Sequence, residues 1–483
     1  MSLDAPVLVL GATGYVGGRL IPRLVDRGYR VRVMVRDRGK LEGRPWLPWV
    51  EAFQGDALRP ETLDAAFHGA GAVYYLIHSM SAEGDFEAVD RQVAANVAAA
   101  ADKAGLHRII YLGGLGRRDI EQSAHLRSRH EVGDVLRSGM TPVTELRAAV
   151  IVGSGSLSFE LIHHLVNRLP AMICPRWVYT RTQPLAVRDV LSYLVQSLGR
   201  EQTAGLTIDI GGPDVLTYRD MMLGVANILG LRRYMIPVPV LTPHLSSYWV
   251  NLVTPIRASL ARALIESLRS ETICENNLAE EHFDIQPLSF HRAAELALER
   301  VRSHAVETTW TDATTVKPQS LDPSHLREDR RQLKIDASPE RVFQVVASIG
   351  GDNGWYYGDW LWRLRGFIDQ QFGGVGLRRG RRHPDQTSAG EALDFWRVQE
   401  YVPSRRLVLR AEMKVWGQAW LEFEVEPLPD SRSRLIQTAR YYPRGLTGLV
   451  YWYSVYPLHA VVFRGLIKAI ANRSIDKSEA TVV

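Results

Sequence analysis

Cysteine is nearly absent. Cys174 and Cys274 are the only two in 483 residues, so a disulfide framework is excluded, and neither has metal-ligand spacing; no metal site is expected. Met1-Ser2-Leu3-Asp4 runs straight into an apolar stretch with no basic leader region or small-residue cleavage site, so a cytoplasmic location is expected. No internal repeat, low-complexity segment or nucleic-acid reader motif is evident. The composition is that of a globular protein, 46% hydrophobic and 23% charged.

The charge is unevenly placed. Residues 1–328 carry 35 Lys+Arg against 36 Asp+Glu, whereas 329–483 carry 23 against 17 and hold seven of the twelve Trp. Two stretches of different chemistry are joined. The basic excess is too small and local to signal nucleic acid.

From Pro6 onward, apolar runs alternate with helical patterns. Val7–Leu10, Val31–Val35, Ala72–Ile77, Arg108–Leu112 and Val143–Leu146 read as strands, and Val93–Ala104 as a helix ending at Gly105. That alternation predicts an α/β doubly wound fold with a parallel sheet. Ala204 to Asn227 reads as strand, turn and helix, followed by a proline-rich stretch from Pro237 to Pro255 and a helix over 259–270. The domain over 1–302 then gives way to a threonine- and proline-rich linker over 303–328.

Beyond it, Leu333-Lys334-Ile335 reads as a strand and Ser338-Pro339-Glu340 as a capped helix start. Strand-like alternation follows at Ala392–Glu400, Arg406–Met413, Ala419–Val425 and Arg434–Tyr441, and a helix over Pro457–Arg473 closes the chain. This is the order of an α+β helix-grip domain over 329–483.

Gly11-Ala12-Thr13-Gly14-Tyr15-Val16-Gly17 follows the first strand and opens the first helix. Glycines there let backbone approach a pyrophosphate, and the helix N-terminus favours the anion. At the end of the second strand, where an acid would accept a ribose 2′-hydroxyl, stands Arg36, with Arg38 and Lys40 beyond. A guanidinium suits a 2′-phosphate, so NADP(H) is expected over NAD(H), although Asp37 complicates the local charge. Asp56, followed by Ala57, falls where it can reach the adenine amino group.

These motifs, with LRSGMTPVTELRAAVIVG and IGGPDVLTYRDMM, make residues 5–300 resemble the NmrA-like, atypical short-chain dehydrogenase/reductases. The resemblance implies that Leu76, Ile77 and His78 pass the cofactor ribose, and it aligns Asn96 with the asparagine of that family's central helix. The family's Tyr-x-x-x-Lys pair is missing: His125 and Arg129 stand in those places, and the strand expected to end in serines reads Tyr111-Leu112-Gly113-Gly114. Arg129 keeps its charge and cannot relay protons, but it can orient ribose or an anionic substrate. His125 titrates near neutrality in water and could act as the acid. Two functions stay open: an NADP(H)-dependent oxidoreductase acting on an apolar small molecule with a substituted catalytic pair, or a non-catalytic redox sensor or ligand-binding module.

Residues 329–483 resemble the START-like (SRPBCC) superfamily in layout and in phrases such as GDWLWRLRGFID and DFWRV. Such folds enclose an apolar cavity, which Trp396, Trp416, Trp420 and Phe423 could line; plain core packing explains the same aromatics. Arg378 to His383 is the densest positive patch, either a solvated loop or a place for an anion or a partner domain. Gly445 to Phe463 is uncharged for 19 residues, long enough for a span. Pro457, Ser454, His459 and the tyrosines weigh against one. A strand or loop ahead of a buried helix is expected, with membrane contact at most peripheral.

Overall fold

The computed structural model describes residues 5–42, 44–78, 86–117, 123–238, 264–303, 305–310, 326–371, 374, 376–377, 387, 389–413 and 415–475. Most of the proline-rich stretch, the middle of the expected linker and the arginine run at 378–383 lie outside them. The chain divides into two compact units, Met1–Leu41 with Pro45–Ala313, and Glu42–Arg44 with Thr314–Val483.

In the first unit, β1 (Val7–Leu10), β2 (Val31–Val35), β3 (Val50–Gln54), β4 (Ala72–Tyr75), β5 (Arg108–Gly114), β6 (Val143–Ala148) and β7 (Thr207–Ile210) form one sheet. Its order is β7-β6-β5-β4-β1-β2-β3, and every pairing is parallel. The reversal of direction between β1 and β4 is the crevice where doubly wound sheets take ligands. β1 is buried on both faces, as its unbroken apolar run requires. Helices α1 (Gly17–Asp26), α2 (Phe86–Ala104) and α3 (Ala124–Arg137) connect the strands. Further along, α4 (Leu157–Arg168), α5 (Val187–Gly199), α6 (Tyr218–Ile228) and α7 (Phe290–Arg302) complete the unit.

The first unit does not stop at residue 302. Thr308, only 2% exposed, donates to the Tyr15 carbonyl at 2.8 Å and accepts from Arg19 Nε at 2.8 Å. Trp310 Nε1 donates to Glu160 at 2.7 Å. The expected linker therefore begins as packed structure, because Thr308 satisfies a buried donor and a backbone acceptor rather than water. It ends early too, with a strand from Arg327.

The second unit is mostly antiparallel sheet. Strands β8 (Arg327–Ile335), β9 (Ala392–Leu393), β10 (Trp396–Val402), β11 (Arg406–Ala411), β12 (Gly417–Leu428) and β13 (Arg432–Pro443) pair in the order β8-β13-β12-β11-β10-β9. One face carries Leu407, Leu421, Phe423 and Leu435 into a core shared with α8 (Pro339–Ala347), α9 (Asp359–Gln371) and α10 (Gly445–Ile475). Ser338 caps α8 by accepting from Arg341 N, as the Ser-Pro-Glu signal implies.

Two expectations fail here. The four aromatics cannot line one cavity: Trp396 and Phe423 are buried, but Trp416 is exposed and Trp420 bonds Gln399 on the opposite face. Strand parity decides this, since residues 420 and 423 differ by an odd number and point to opposite faces. The uncharged run is not a strand or loop before a helix but the first half of α10, which is continuous through Pro457. Proline costs the hydrogen bond to the residue-453 carbonyl, but Pro457 lies on the exposed side, where water can satisfy that group.

Replacing Phe423 by Ala should lower the stability of the second unit by about 3–5 kcal/mol, whereas Trp420→Ala should cost about 1 kcal/mol or less. Urea unfolding followed by circular dichroism checks this, and equal losses would contradict the parity assignment.

Candidate functional site

The first βα turn is built around close backbone contacts. Gly11 has φ +88°, and a β-carbon on it would lie 2.5 Å from the Leu76 carbonyl oxygen; one on Gly17 would collide with the Gly11 carbonyl. Gly14 N donates to Gly11 O at 2.9 Å and closes the loop. Ala12, Thr13, Tyr15 and Val16 fill the remaining positions up to the N-cap of α1. Val16 at that cap supplies no side-chain hydrogen bond, and the first turn has no acid. An uncapped helix start behind a backbone cradle is what a pyrophosphate requires. Arg19 fixes the far side: it donates to Ser154 O at 2.7 Å and to Thr308, with its guanidinium over the Tyr15 ring at 4.6 Å.

The expected cofactor residues gather around the same crevice. β1 pairs with β4 up to Leu10 and Tyr75, and Leu76 N then bonds Leu10 O at 3.1 Å, which brings Leu76, Ile77 and His78 past the glycine loop. Arg36 is exposed just beyond β2. Asp37 is turned inward on its own loop, accepting from Gly39 N at 3.0 Å. At the end of β3, Asp56 accepts from Leu58 N at 3.1 Å. The Ala57 carbonyl is held by Asn96 Nδ2 at 2.8 Å. Asn96 of α2 thus secures the turn after β3.

His125 and Arg129 sit one turn apart on α3, which Ser123 caps by accepting from Leu126 N at 3.2 Å. The structure brings His78 to them: the His78 and His125 rings lie 4.8 Å apart. Burial, then the neighbouring Arg129 charge, pushes His125 down to about 3, and His78 well below its usual value. The expectation that His125 titrates near neutrality does not survive this environment; it is a neutral imidazole. His78 Nδ1 is buried with no hydrogen-bond partner among the described residues.

At the strand end that lacks a serine, a β-carbon on Gly114 would lie 3.0 Å from the Leu126 side chain, a tight contact, and 3.5 Å from the Arg129 stem, an ordinary one. His130 Nε2 reaches the Gly114 carbonyl at 3.2 Å, and Tyr111 donates to the Arg129 carbonyl at 2.9 Å. Of these supports, the Gly-Gly pair was visible as a departure. The pairing of His78 with His125 and the clamp of Arg19 on Thr308 were not, since 289 positions separate the latter two.

The glycine cradle, the uncapped helix and the orphaned His78 nitrogen fit a nicotinamide dinucleotide. The first unit has the Rossmann fold of NAD(P)-binding proteins of the short-chain dehydrogenase/epimerase type, and reductases are among the proteins it is similar to. Residues 11–151 match a family described as NAD(P)H-binding, and residues 323–466 match one described as a protein of unknown function, DUF2867. The chain is 29% identical over 253 residues to a ceramide reductase of Caulobacter vibrioides, covering 50% of this chain and 76% of that one. It is 27% identical over 232 residues to the (4-alkanoyl-5-oxo-2,5-dihydrofuran-3-yl)methyl phosphate reductase of Streptomyces griseus, covering 46% and 74%. In fold it resembles the triphenylmethane reductase of a Citrobacter species, with TM-score 0.51, 18% identity, and 61% of this chain and 99% of that one covered.

The neutral histidines couple stability to acid. His125 has its native pKa depressed below the unfolded value of 6.5, so its contribution is fully present above that value and is lost as pH falls from there toward about 3. At about pH 5 the loss for this one group is about 2 kcal/mol. His125→Gln should flatten urea-measured stability between about pH 7 and pH 5 by that amount; an unchanged slope would show that His125 is not held neutral.

Proposed function

We propose that the first unit is an NADPH-dependent reductase of an apolar carbonyl compound, in which neutral His125 and cationic Arg129 replace the usual tyrosine and lysine. The observation that carries this reading is the placement of His125, Arg129 and His78 together at the strand ends beside the glycine cradle. Residues 11–17 would hold the pyrophosphate, Arg36 the 2′-phosphate, Asp56 and Ala57 the adenine side, and Leu76 to His78 the ribose. The bound cofactor supplies the hydride.

The protein's part is then orientation and polarisation. A neutral imidazole N–H donates a hydrogen bond to the substrate carbonyl without surrendering its proton, as an electrophilic histidine does. The Arg129 guanidinium adds positive potential where the oxygen gains charge. Hydride adds to the carbonyl carbon, and the resulting alkoxide takes its proton from water. The relative named for the reduction of ceramide supports an apolar substrate.

We also read the second unit as a START-like module that holds an apolar ligand. Its strand–helix–sheet–helix order supports this, as does a polar point between sheet and final helix. There Gln437 Nε2 donates to the Phe463 carbonyl at 3.3 Å, while Gln437 Oε1 and His459 Nδ1 are buried without partners among the described residues. Mass spectrometry of small molecules carried through purification should recover a lipid-like compound with the intact protein.

Purified protein should oxidise NADPH in the presence of a carbonyl panel, and His125→Phe should lower kcat by about 10²-fold with little change in NADPH affinity. The kcat profile should show no break between about pH 6 and 7 attributable to His125. Arg36→Glu should weaken NADPH binding by about tenfold or more relative to NADH. Tight NADPH binding with no turnover on any carbonyl would overturn the reductase reading and favour a redox sensor.

A further inference from the structure

α10 is apolar on two sides, and only one of them is covered. Trp452, Val462, Phe463, Leu466 and Ile470 face the core of the second unit and are buried. Leu446, Val450, Tyr453, Pro457 and Val461 follow one another at steps of four, three, four and four, which keeps them on a single helical face. That face is exposed, Leu446 at 76% and Tyr453 at 63%. Arg464 and Lys468 continue the same stripe toward the C-terminal end, both exposed, and Arg444 immediately precedes the helix. Length and composition would allow the helix to cross a membrane. Within its uncharged run, however, Trp452, Val462 and Phe463 are buried in the second unit and would have to leave it for the helix to span.

The neighbouring helix repeats the pattern. α9 packs beside α10, with Trp362 and Phe463 rings 6.3 Å apart, and exposes Trp360, Leu364, Phe367 and Ile368 at helical spacing. Its two acids are spent inside the unit: Asp359 accepts from Trp355 N at 2.7 Å and buried Asp369 from Gly376 N at 2.9 Å. Arg363 is exposed on the same helix.

We propose that the second unit docks on an anionic lipid bilayer, lying in the interface through the exposed face of α10 and the apolar stripe of α9. Charge selects the occupant. The 31 residues of α10 contain no Asp or Glu, and the cations flank the apolar stripe rather than interrupt it. A second copy of this chain would bring Arg444, Arg464 and Lys468 against cations of the same sign. An acidic bilayer meets them with opposite charge and takes up the leucine, valine and aromatic side chains beneath its headgroups. Exposed Trp360 and Tyr453 are the residue types that settle at that depth. This inference stands apart from the reductase reading, since it uses no residue of the first unit.

The test is flotation of the full chain with vesicles of phosphatidylcholine alone and of phosphatidylcholine mixed with phosphatidylglycerol. The protein should float with the mixed vesicles, stay behind with pure phosphatidylcholine, and be released by salt. Val450→Glu with Tyr453→Glu should weaken binding by about tenfold or more, as should Arg464→Glu with Lys468→Glu. Both pairs are on exposed positions, so an unchanged thermal transition and unchanged circular dichroism report intact folding. Absence of binding to the mixed vesicles overturns the proposal, as does binding indifferent to both pairs. A dimer in sedimentation that Val450→Glu converts to monomer, without vesicle binding, would assign the face to a second copy instead.

Discussion

The backbone of Gly11 is held between two carbonyl-bearing segments, and the first unit depends on that fit. On one side the Leu76 carbonyl oxygen lies 2.5 Å from where a β-carbon would be; on the other, Gly17 is so near that its own β-carbon would strike the Gly11 carbonyl. The contact brings the start of α1 down onto the β1–β4 crevice with no side-chain cap in the way. Any side chain at either glycine would lift the helix, open the loop and shift the strand end that carries His78. A single steric condition therefore sets both the cofactor cradle and the position of the neighbouring imidazole.

The polar supports around this turn are buried and local in space but distant in sequence. Without the Ser154 carbonyl and Thr308, the buried Arg19 guanidinium would lose its hydrogen-bond acceptors there. Its pKa is lowered by burial, which shows how much those acceptors must compensate. Asn96 does the same for the Ala57 carbonyl in the turn after β3. The glycine turn, the Ala57 turn and the helix start are thereby fixed by groups contributed from separate stretches of chain. Their shared feature is that each satisfies a backbone group that burial would otherwise leave stranded.

Legibility followed the range of the interaction. The glycine loop, the five parallel strands and the Ser338 cap depend on neighbours within a few residues, so composition and spacing disclosed them. A threonine-rich run is polar wherever it occurs and so resembles a linker, and only a partner 289 positions away makes Thr308 structural. The acid chemistry of His125 failed for a similar reason. Its intrinsic titration is a property of the side chain, but the environment that abolishes it comes from burial against Arg129 and His78. Trp420 was misplaced by one step of strand parity, a register that pairing sets and aromatic content does not.

The final helix shows the limit from the other direction. Periodicity identifies a helix by contrast between a wet side and a dry one, and α10 has almost none in its first half. Val450 and Trp452 are both apolar, yet one is exposed and the other buried. With no polar side to mark the turn of the chain, and Pro457 in the middle, the pattern reads as anything but helix. The contrast returns only where Arg464 and Lys468 replace valine and leucine on the outer face, which is why the helical signal was strongest past Pro457. The hidden half is thus the half whose outer face is not built for water. Absence of amphipathic period there is itself physical information: it says that both sides of the helix are apolar and that the fold covers only one.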